Sequence, residues 1–344
     1  MRPISEVPLV TVQIVTWNSL THLPSCLAAI MQQRGPARQL MIVDNASVDN
    51  TVHWLEEHFP HLNLLRNTRN LGFCRAHNQA LRLSKSPYVL ILNPDVILQP
   101  DWLERGINYL EGHPPAGSFG GKLLRYHYSA DELKEVVPSG IIDSTGLHCF
   151  RNRQVSDRGS GQADRGQYDQ AGEVFGISGA CLLLRRSALE SIRWHDEYLD
   201  EDFFAYKDDV DLAWRLQRLG WSSWYDPQAV AYHYRTVRGL DTIRNVALSK
   251  NYRSRHQMIS FYSYRNHWLL LAKHERRSTW WLDGPWISWY ELRKFAFLLL
   301  TQPRTLQAIG SVIRLWPRIR RKARLLEHHA RRSPLAIRSW FVMS

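Results

Sequence analysis

Short apolar runs alternate with helical patterns through the first two thirds of the chain, and two of those runs end in clusters of Asp and Asn. Val10–Thr16 is β-rich, Ser19–Gln33 carries helical apolar spacing, and Leu40–Val43 and Leu62–Arg66 are a second and third strand. A helix is predicted over Phe73–Leu83 and a fourth strand over Tyr88–Leu92. This alternation specifies an α/β fold, a mostly parallel sheet with helices on both faces. Ligands of such sheets bind beyond the carboxyl ends of the strands, and Asp44-Asn45-Ala46-Ser47 and Asn93-Pro94-Asp95 lie at two of those ends. Residues from about 126 to 172 are rich in Gly, Ser, Asp, Arg and Gln with weak periodicity. They form an excursion over the site or a solvated loop. Cys181–Leu184 resumes the sheet, Asp208–Leu219 reads as a helix stopped by Gly220, and Ala229–Tyr234 is the last strand. Residues 1–240 are expected to form one α/β unit, and 241–344 a helical, basic and aromatic appendage.

Charge divides the chain at nearly the same place. Residues 235–344 hold 22 Lys+Arg against 5 Asp+Glu, net +17, whereas residues 1–234 are net −5, within a total of +12. An acidic body with a basic tail suits chemistry in the first part and an anionic surface for the second. The tail interleaves Trp280, Trp281, Trp286, Trp289 and Trp316 with arginines, the composition of helices that lie in the headgroup layer of anionic membranes. The alternative is that these aromatics pack on the first unit. Nucleic acid is disfavoured as a partner, because the first 234 residues are acidic. Cys26, Cys74, Cys149 and Cys181 have no metal-ligand or redox spacing and read as reduced thiols of a cytoplasmic protein. The N-terminal stretch lacks the apolar core of a signal peptide, and the apolar run Phe295–Leu300 is too short to cross a bilayer.

Several acids are placed for chemistry. Pro94 stops a strand and turns Asp95 out past the sheet edge, where it can hold a cation or cap the following turn. Asp44 ends the strand LMIVD; its carboxylate can accept from a pyrimidine N–H, or close an Asx turn. Asp49 suits a helix N-cap better than a ligand. Asp200, Glu201, Asp202, Asp208, Asp209 and Asp211 crowd among Phe203, Phe204 and Tyr206. Dipole capping accounts for one carboxylate at a helix start, and so many acids among aromatics imply a partly buried acidic pocket. His233 ends a β-rich run, where it can ligate a metal or simply pack.

Taken in order, TVQIVTWN, IVDNASVDNT, NTRNLGFCRAHNQAL, LILNPDV, ISGACLLLRRSAL and DEDFFAYKDDVDLAWRLQRLGW resemble family 2 glycosyltransferases with the GT-A, Rossmann-like fold. The subgroup with these motifs is similar to bacterial rhamnosyltransferases and their galactofuranosyltransferase relatives. The resemblance implies an inverting enzyme that moves a sugar, L-rhamnose from dTDP-rhamnose foremost, onto a glycan or polyprenyl-diphosphate-linked acceptor in cell-surface polysaccharide synthesis. The site would be peripheral on the inner face of the bacterial plasma membrane. Galactofuranosyl or other hexosyl transfer is the alternative, and a non-catalytic sugar-nucleotide-binding scaffold another. By the resemblance, Asp209 is the general base, Asp95 and His233 hold Mg2+ or Mn2+, and Thr16, Asn18, Asp44, Asn70, Gly72, Phe73 and Asn93 line the nucleotide. Gly179, Ala180 and Asp208 line the sugar or acceptor pocket. Many relatives have Asp-x-Asp where this chain has Asn93-Pro94-Asp95, so one carboxylate is missing at the cation.

Overall fold

A computed structural model describes residues 8–129, 135–235 and 250–343, with 250–256 described by backbone only. The strands are β1 (Val10–Thr16), β2 (Arg38–Asp44), β3 (Asn63–Arg66), β4 (Tyr88–Leu92), β5 (Val96–Leu98), β6 (Ala116–Tyr128), β7 (Val136–Ser144), β8 (Leu147–Phe150), β9 (Val155–Asp157), β10 (Gly172–Val174), β11 (Cys181–Arg185), β12 (Ser222–His233) and β13 (Phe341–Val342). The helices are α1 (Leu23–Met31), α2 (Thr51–His58), α3 (Phe73–Leu83), α4 (Trp102–Gly112), α5 (Arg186–Ile192), α6 (Asp208–Arg218), α7 (Lys250–His274), α8 (Arg277–Thr301), α9 (Gln307–His329) and α10 (Pro334–Arg338). The predicted change of unit near residue 240 falls outside the described residues.

The main sheet runs β10-β12-β6-β11-β4-β1-β2-β3, with β5 on β12 and β7 on β6. β3, β2, β1 and β4 are mutually parallel, β11 is antiparallel to both of its neighbours, and β6 and β12 are parallel again. β4 shows why its run is continuously apolar. Val89 and Ile91 enter one core with α3, α5 and α6, while Leu90 and Leu92 enter a second with α1 and α4. A strand covered on both faces has no side left for polar residues. α6 ends in a Schellman turn: Trp221 N–H bonds to Leu216 O at 3.0 Å and Gly220 N–H to Gln217 O at 3.1 Å, with Gly220 at φ 92°.

Where it is described, the excursion after β6 is strand up to Asp157 and then a run of turns to β10. β7 turns back on β6, and β8 and β9 form a small second sheet completed by β13 from the end of the chain. Weak periodicity there reflects short strands around turns: β7 lies at the site through Asp143, while 161–171 is a largely exposed loop. Leu269, Leu270, Ala272, Val312, Ile319 and Leu326 of α7 and α9 lie in the same core as α6 and β11. All four cysteines are buried and unpaired.

Candidate active site

Three groups of residues gather at the carboxyl edge of the sheet. The first is a hydrogen-bonded rim. Thr16, ending β1, donates to Asp44 Oδ1 at 2.9 Å, and Ser47 donates to the same carboxylate through its N–H (2.9 Å) and its hydroxyl (2.5 Å). The Asx turn is therefore present, and among the described residues Oδ2 accepts only the Ser47 N–H. Asn18, at φ 52°, braces the loop by accepting from the Val48 N–H at 2.8 Å. Asp49 accepts from Thr51 N–H at 3.1 Å and from Leu20 N–H at 3.2 Å, supporting the start of α2, although Asn50 is the N-cap residue. Asn70 accepts from Gly72 N–H at 2.8 Å, and Asn45 donates to the Gly72 carbonyl at 3.2 Å. Gly72 sits at φ 85°, and a Cβ there would stand 2.5 Å from the Phe204 ring. Phe73 packs against the core and on His77, ring centroids 4.3 Å apart. Trp17, which the motif passes over, stands 47% exposed beside this rim.

The second group surrounds Asp95. Pro94 separates β4 from β5, and β5 pairs with β12 so that Val96 faces His233. Asp95 Oδ1 thereby lies 3.4 Å from His233 Nε2. The other imidazole nitrogen, Nδ1, bonds Asp143 Oδ2 at 2.7 Å, and Arg235 holds Asp143 Oδ1 at 2.8 Å. Burial alone would lower the His233 pKa, but Asp95 and Asp143 outweigh it and push it up to about 10. Asp143 comes from β7, far from either motif in sequence. Asn93 donates its N–H to Ala180 O at 2.9 Å, tying this turn to the Gly179-Ala180 loop. Among the described residues no cluster of three His, Cys, Asp or Glu side chains is poised for a metal. A Mg2+ or Mn2+ ion bridging a diphosphate needs few protein ligands, because substrate phosphates and waters fill the rest. Asp95 fits that limited demand; His233, held protonated between Asp95 and Asp143, joins it only by giving up its Nε2 proton to a bound ion, with Asp143 then orienting the ring.

The third group is the start of α6. Asp209 Oδ2 accepts from Gly179 N–H at 3.1 Å and Oδ1 from Val210 N–H at 2.8 Å. A Cβ on residue 179 would stand 3.3 Å from Asp209 Cβ, so glycine lets this loop approach. Burial raises the Asp209 pKa against those two N–H groups, and burial together with Asp209 pushes Asp208 up to about 8.

The remaining acids are tied into ion pairs, although Asp200 and Glu201 also line surface clefts. Asp200 pairs with Lys273 at 2.8 Å and Lys322 at 2.5 Å, and Lys322 also reaches Asp202 at 2.9 Å and Glu197 at 2.7 Å. Asp211 pairs with Arg215 at 2.8 Å, Lys273 at 2.7 Å and His274 at 2.8 Å. Glu201 pairs with Arg75 at 2.7 Å. The acidic pocket expected from composition is thus largely an internal ion-pair network, closed by cations of α7 and α9. Among the described residues, Asp208 and Asp209 are the members of this run that join no ion pair.

A mostly parallel sheet with an Asp-bearing turn at its carboxyl edge and a partly buried carboxylate at the start of α6 has the architecture of a GT-A glycosyltransferase. The chain belongs to Glycosyl transferase family 2, whose profile matches residues 11–193. It is 28% identical over 239 residues, 64% of this chain and 74% of the relative, to the N-acetylglucosaminyl-diphospho-decaprenol L-rhamnosyltransferase of Mycobacterium tuberculosis. Its fold is similar to that of a mannosyltransferase from Pyrobaculum calidifontis in complex with GDP-Man and Mn2+, with TM-score 0.52, 18% identity, and coverage of 97% of this chain and 87% of that one. GalNAc-T7 with UDP, GalNAc and Mn2+ matches at TM-score 0.53 and 9% identity over 76% of this chain; the match spans about half of that protein (48%).

Proposed function

We propose that this glycosyltransferase transfers L-rhamnose from dTDP-rhamnose, with inversion, to a sugar hydroxyl on a polyprenyl-diphosphate-linked acceptor. Its place of work is the inner face of a bacterial plasma membrane. The observation that carries the chemistry is Asp209: a partly buried carboxylate with a raised pKa, fixed by two backbone N–H groups, in no close ion pair among the described residues and with the Lys207 ammonium only at longer range. Such a group takes a proton more readily than an exposed carboxylate. The acceptor hydroxyl gives its proton to Asp209 as its oxygen attacks the anomeric carbon. The bond from that carbon to the diphosphate oxygen breaks, and the electron pair leaves on the nucleoside diphosphate. Asp44 and the Thr16, Asn18, Asn70, Gly72 and Asn93 rim hold the nucleotide, while Phe73 supports the rim from the core. Gly179, Ala180 and Asp208 line the sugar or acceptor side. Asp95 would hold Mg2+ or Mn2+, with His233 as a further ligand once it has lost its Nε2 proton, and the ion would neutralise charge on the leaving diphosphate.

The choice of rhamnose and of a lipid-linked acceptor rests on the similarity to the mycobacterial relative. Membrane association rests on α8. Its buried stripe is Thr279, Asp283, Gly284, Ile287, Glu291 and Leu298, while Trp281, Trp289, Leu292 and Leu300 are among the exposed apolar side chains. Arg277, Arg293, Arg304, Arg314 and Arg321 are exposed along α8, α9 and the connection between them. Among the described residues no helix is long and apolar enough to cross a membrane, so contact would be from one side.

The test is a panel of nucleotide sugars with Mn2+ in thermal shift, followed by transfer to a GlcNAc-diphospho-polyprenol analogue and product stereochemistry by NMR. dTDP-rhamnose at 100 times its Kd should stabilise the fold by about 2.7 kcal/mol, and the product should be inverted. Asp95→Ala and EDTA should each abolish transfer. A retained anomeric configuration or full activity in EDTA would contradict the proposal. Preference for a UDP-hexose would keep the mechanism and replace the donor with a galactofuranosyl or other hexosyl group.

A further inference from the structure

The backbone leading into α6 is held in an unfavourable shape. Phe204 has φ 64° and ψ −65°, and the Ala205 N–H closes on Phe203 O at 2.7 Å, a γ-turn of the rare positive-φ kind. Tyr206 and Lys207 follow at φ 70° and 62°. All five residues before Asp208 therefore take part in this turn or have positive φ, and none is glycine or asparagine. Such a segment persists only where its surroundings over-determine it.

Those surroundings come from two sides. On one, Gly72 makes room for the Phe204 ring, and Cys74 N–H donates to Phe204 O at 3.2 Å. On the other, α7 presents two buried side chains. Asn266 Nδ2 lies 2.8 Å from Phe203 O, 2.8 Å from Ala205 O and 2.7 Å from Tyr206 O. Arg265 Nη2 donates to Asp202 O at 2.5 Å and Phe203 O at 2.8 Å, and its Nε donates to Asn266 Oδ1 at 2.9 Å. Arg265 also lies 4.6 Å over the Tyr262 ring, which stacks on Phe204 at 4.7 Å. A guanidinium and an amide, linked to each other, thus collect four carbonyls of one strained turn.

We propose that Arg265 and Asn266 are positioning residues for the base, holding the Phe203–Lys207 turn in the shape that presents Asp209. The inference rests on Asp209 acting as the base. It assigns to the basic C-terminal region a part in catalysis beyond any surface role. A displacement of about 1 Å at a reacting group can cost 10²-fold in rate, so loss of this clamp should appear in kcat and spare the donor rim.

The experiment compares Asn266→Ala and Arg265→Lys with wild type, alone and combined with Asp209→Asn. Arg265→Lys keeps charge and the aromatic contact but loses the fork, and serves where Asn266→Ala folds poorly. Each single variant should lower kcat by roughly 10- to 10²-fold with donor KM within about twofold, and should add no further loss in the Asp209→Asn background. Unchanged kcat in the folded variants would overturn the positioning role. So would a loss that multiplies with that of Asp209→Asn, or one that appears equally in donor KM. An Asp209→Asn enzyme transferring at the wild-type rate would instead overturn the base assignment itself.

Discussion

The donor rim and the acidic run around α6 are both dense in carboxylates and amides, but they satisfy them over different distances along the chain. Asp44 is held by Thr16 and Ser47, Asn70 by Gly72, and Asn18 by the Val48 N–H, so the rim is closed by its own strand ends. Asp200 is held by Lys273 and Lys322, and Asp211 by His274, partners 73, 122 and 63 residues away. The rim needs only backbone N–H groups and hydroxyls, which any sharp turn supplies. The acidic run carries net charge into the interior, and buried carboxylates need ammonium and guanidinium partners brought from elsewhere. The basic tail is therefore part of what lets the acidic half fold, and Asp208 and Asp209 stand out because the tail leaves them unpaired.

The strongest way to break this contrast is to remove a cation that the tail supplies. Lys322→Met leaves Asp200, Asp202 and Glu197 short of a buried partner and should destabilise the protein by about 3–5 kcal/mol, read by urea unfolding. A change as small as that of an exposed lysine would mean that the acids do not depend on the tail. Next comes Asp208. Its folded pKa of about 8 against an ordinary 3.8 means that the folded state binds the proton more tightly. Stability linked to it is full below the ordinary value and is lost as pH rises towards 8. Asp208→Asn should thus gain stability relative to wild type between pH 5 and pH 9, on the order of a few kcal/mol. An equal difference at both pH values would show that Asp208 is ionised throughout. The smallest effect belongs to the exposed face of α8. Trp281 and Trp289 are 84% and 60% exposed, so Trp281→Ser with Trp289→Ser should hardly alter stability. It should weaken flotation with anionic vesicles roughly tenfold, about 1.4 kcal/mol. Unchanged flotation would remove α8 from membrane contact.

Much of the first half was legible because its signals are local. Val10–Thr16, Phe73–Leu83 and Tyr88–Leu92 match their predicted limits, and Gly220 stops α6 where its φ 92° requires glycine. The strand expected from Ala229 begins at Ser222, because Asp226 and Pro227 interrupt the apolar pattern at a register shift against β6. Residues from about 126 to 172 were read as an excursion over the site or a solvated loop, and the strands at 136–157 were missed because they are short and paired around turns. Of the candidate site, Asp44 and Asp95 were named from strand ends and Asp209 from the resemblance of its motif. Asp143 beside His233, Lys322 beside Asp200 and Asn266 beneath the Phe203–Lys207 turn were not, since only tertiary packing brings them there. The excess of acid between 200 and 211 and of base beyond 234 was visible as composition; that each satisfies the other was not.

The account turns on Asp209 being the one carboxylate of this run that acts on substrate. The direct measurement is single-turnover transfer by Asp209→Asn, with donor affinity measured in parallel by calorimetry. Asparagine keeps the size of the side chain and cannot take the proton. The transfer rate should fall by about 10²–10⁴-fold while donor Kd stays within about twofold. A variant that transfers at the wild-type rate, or one that loses donor binding as severely as transfer, would contradict the assignment.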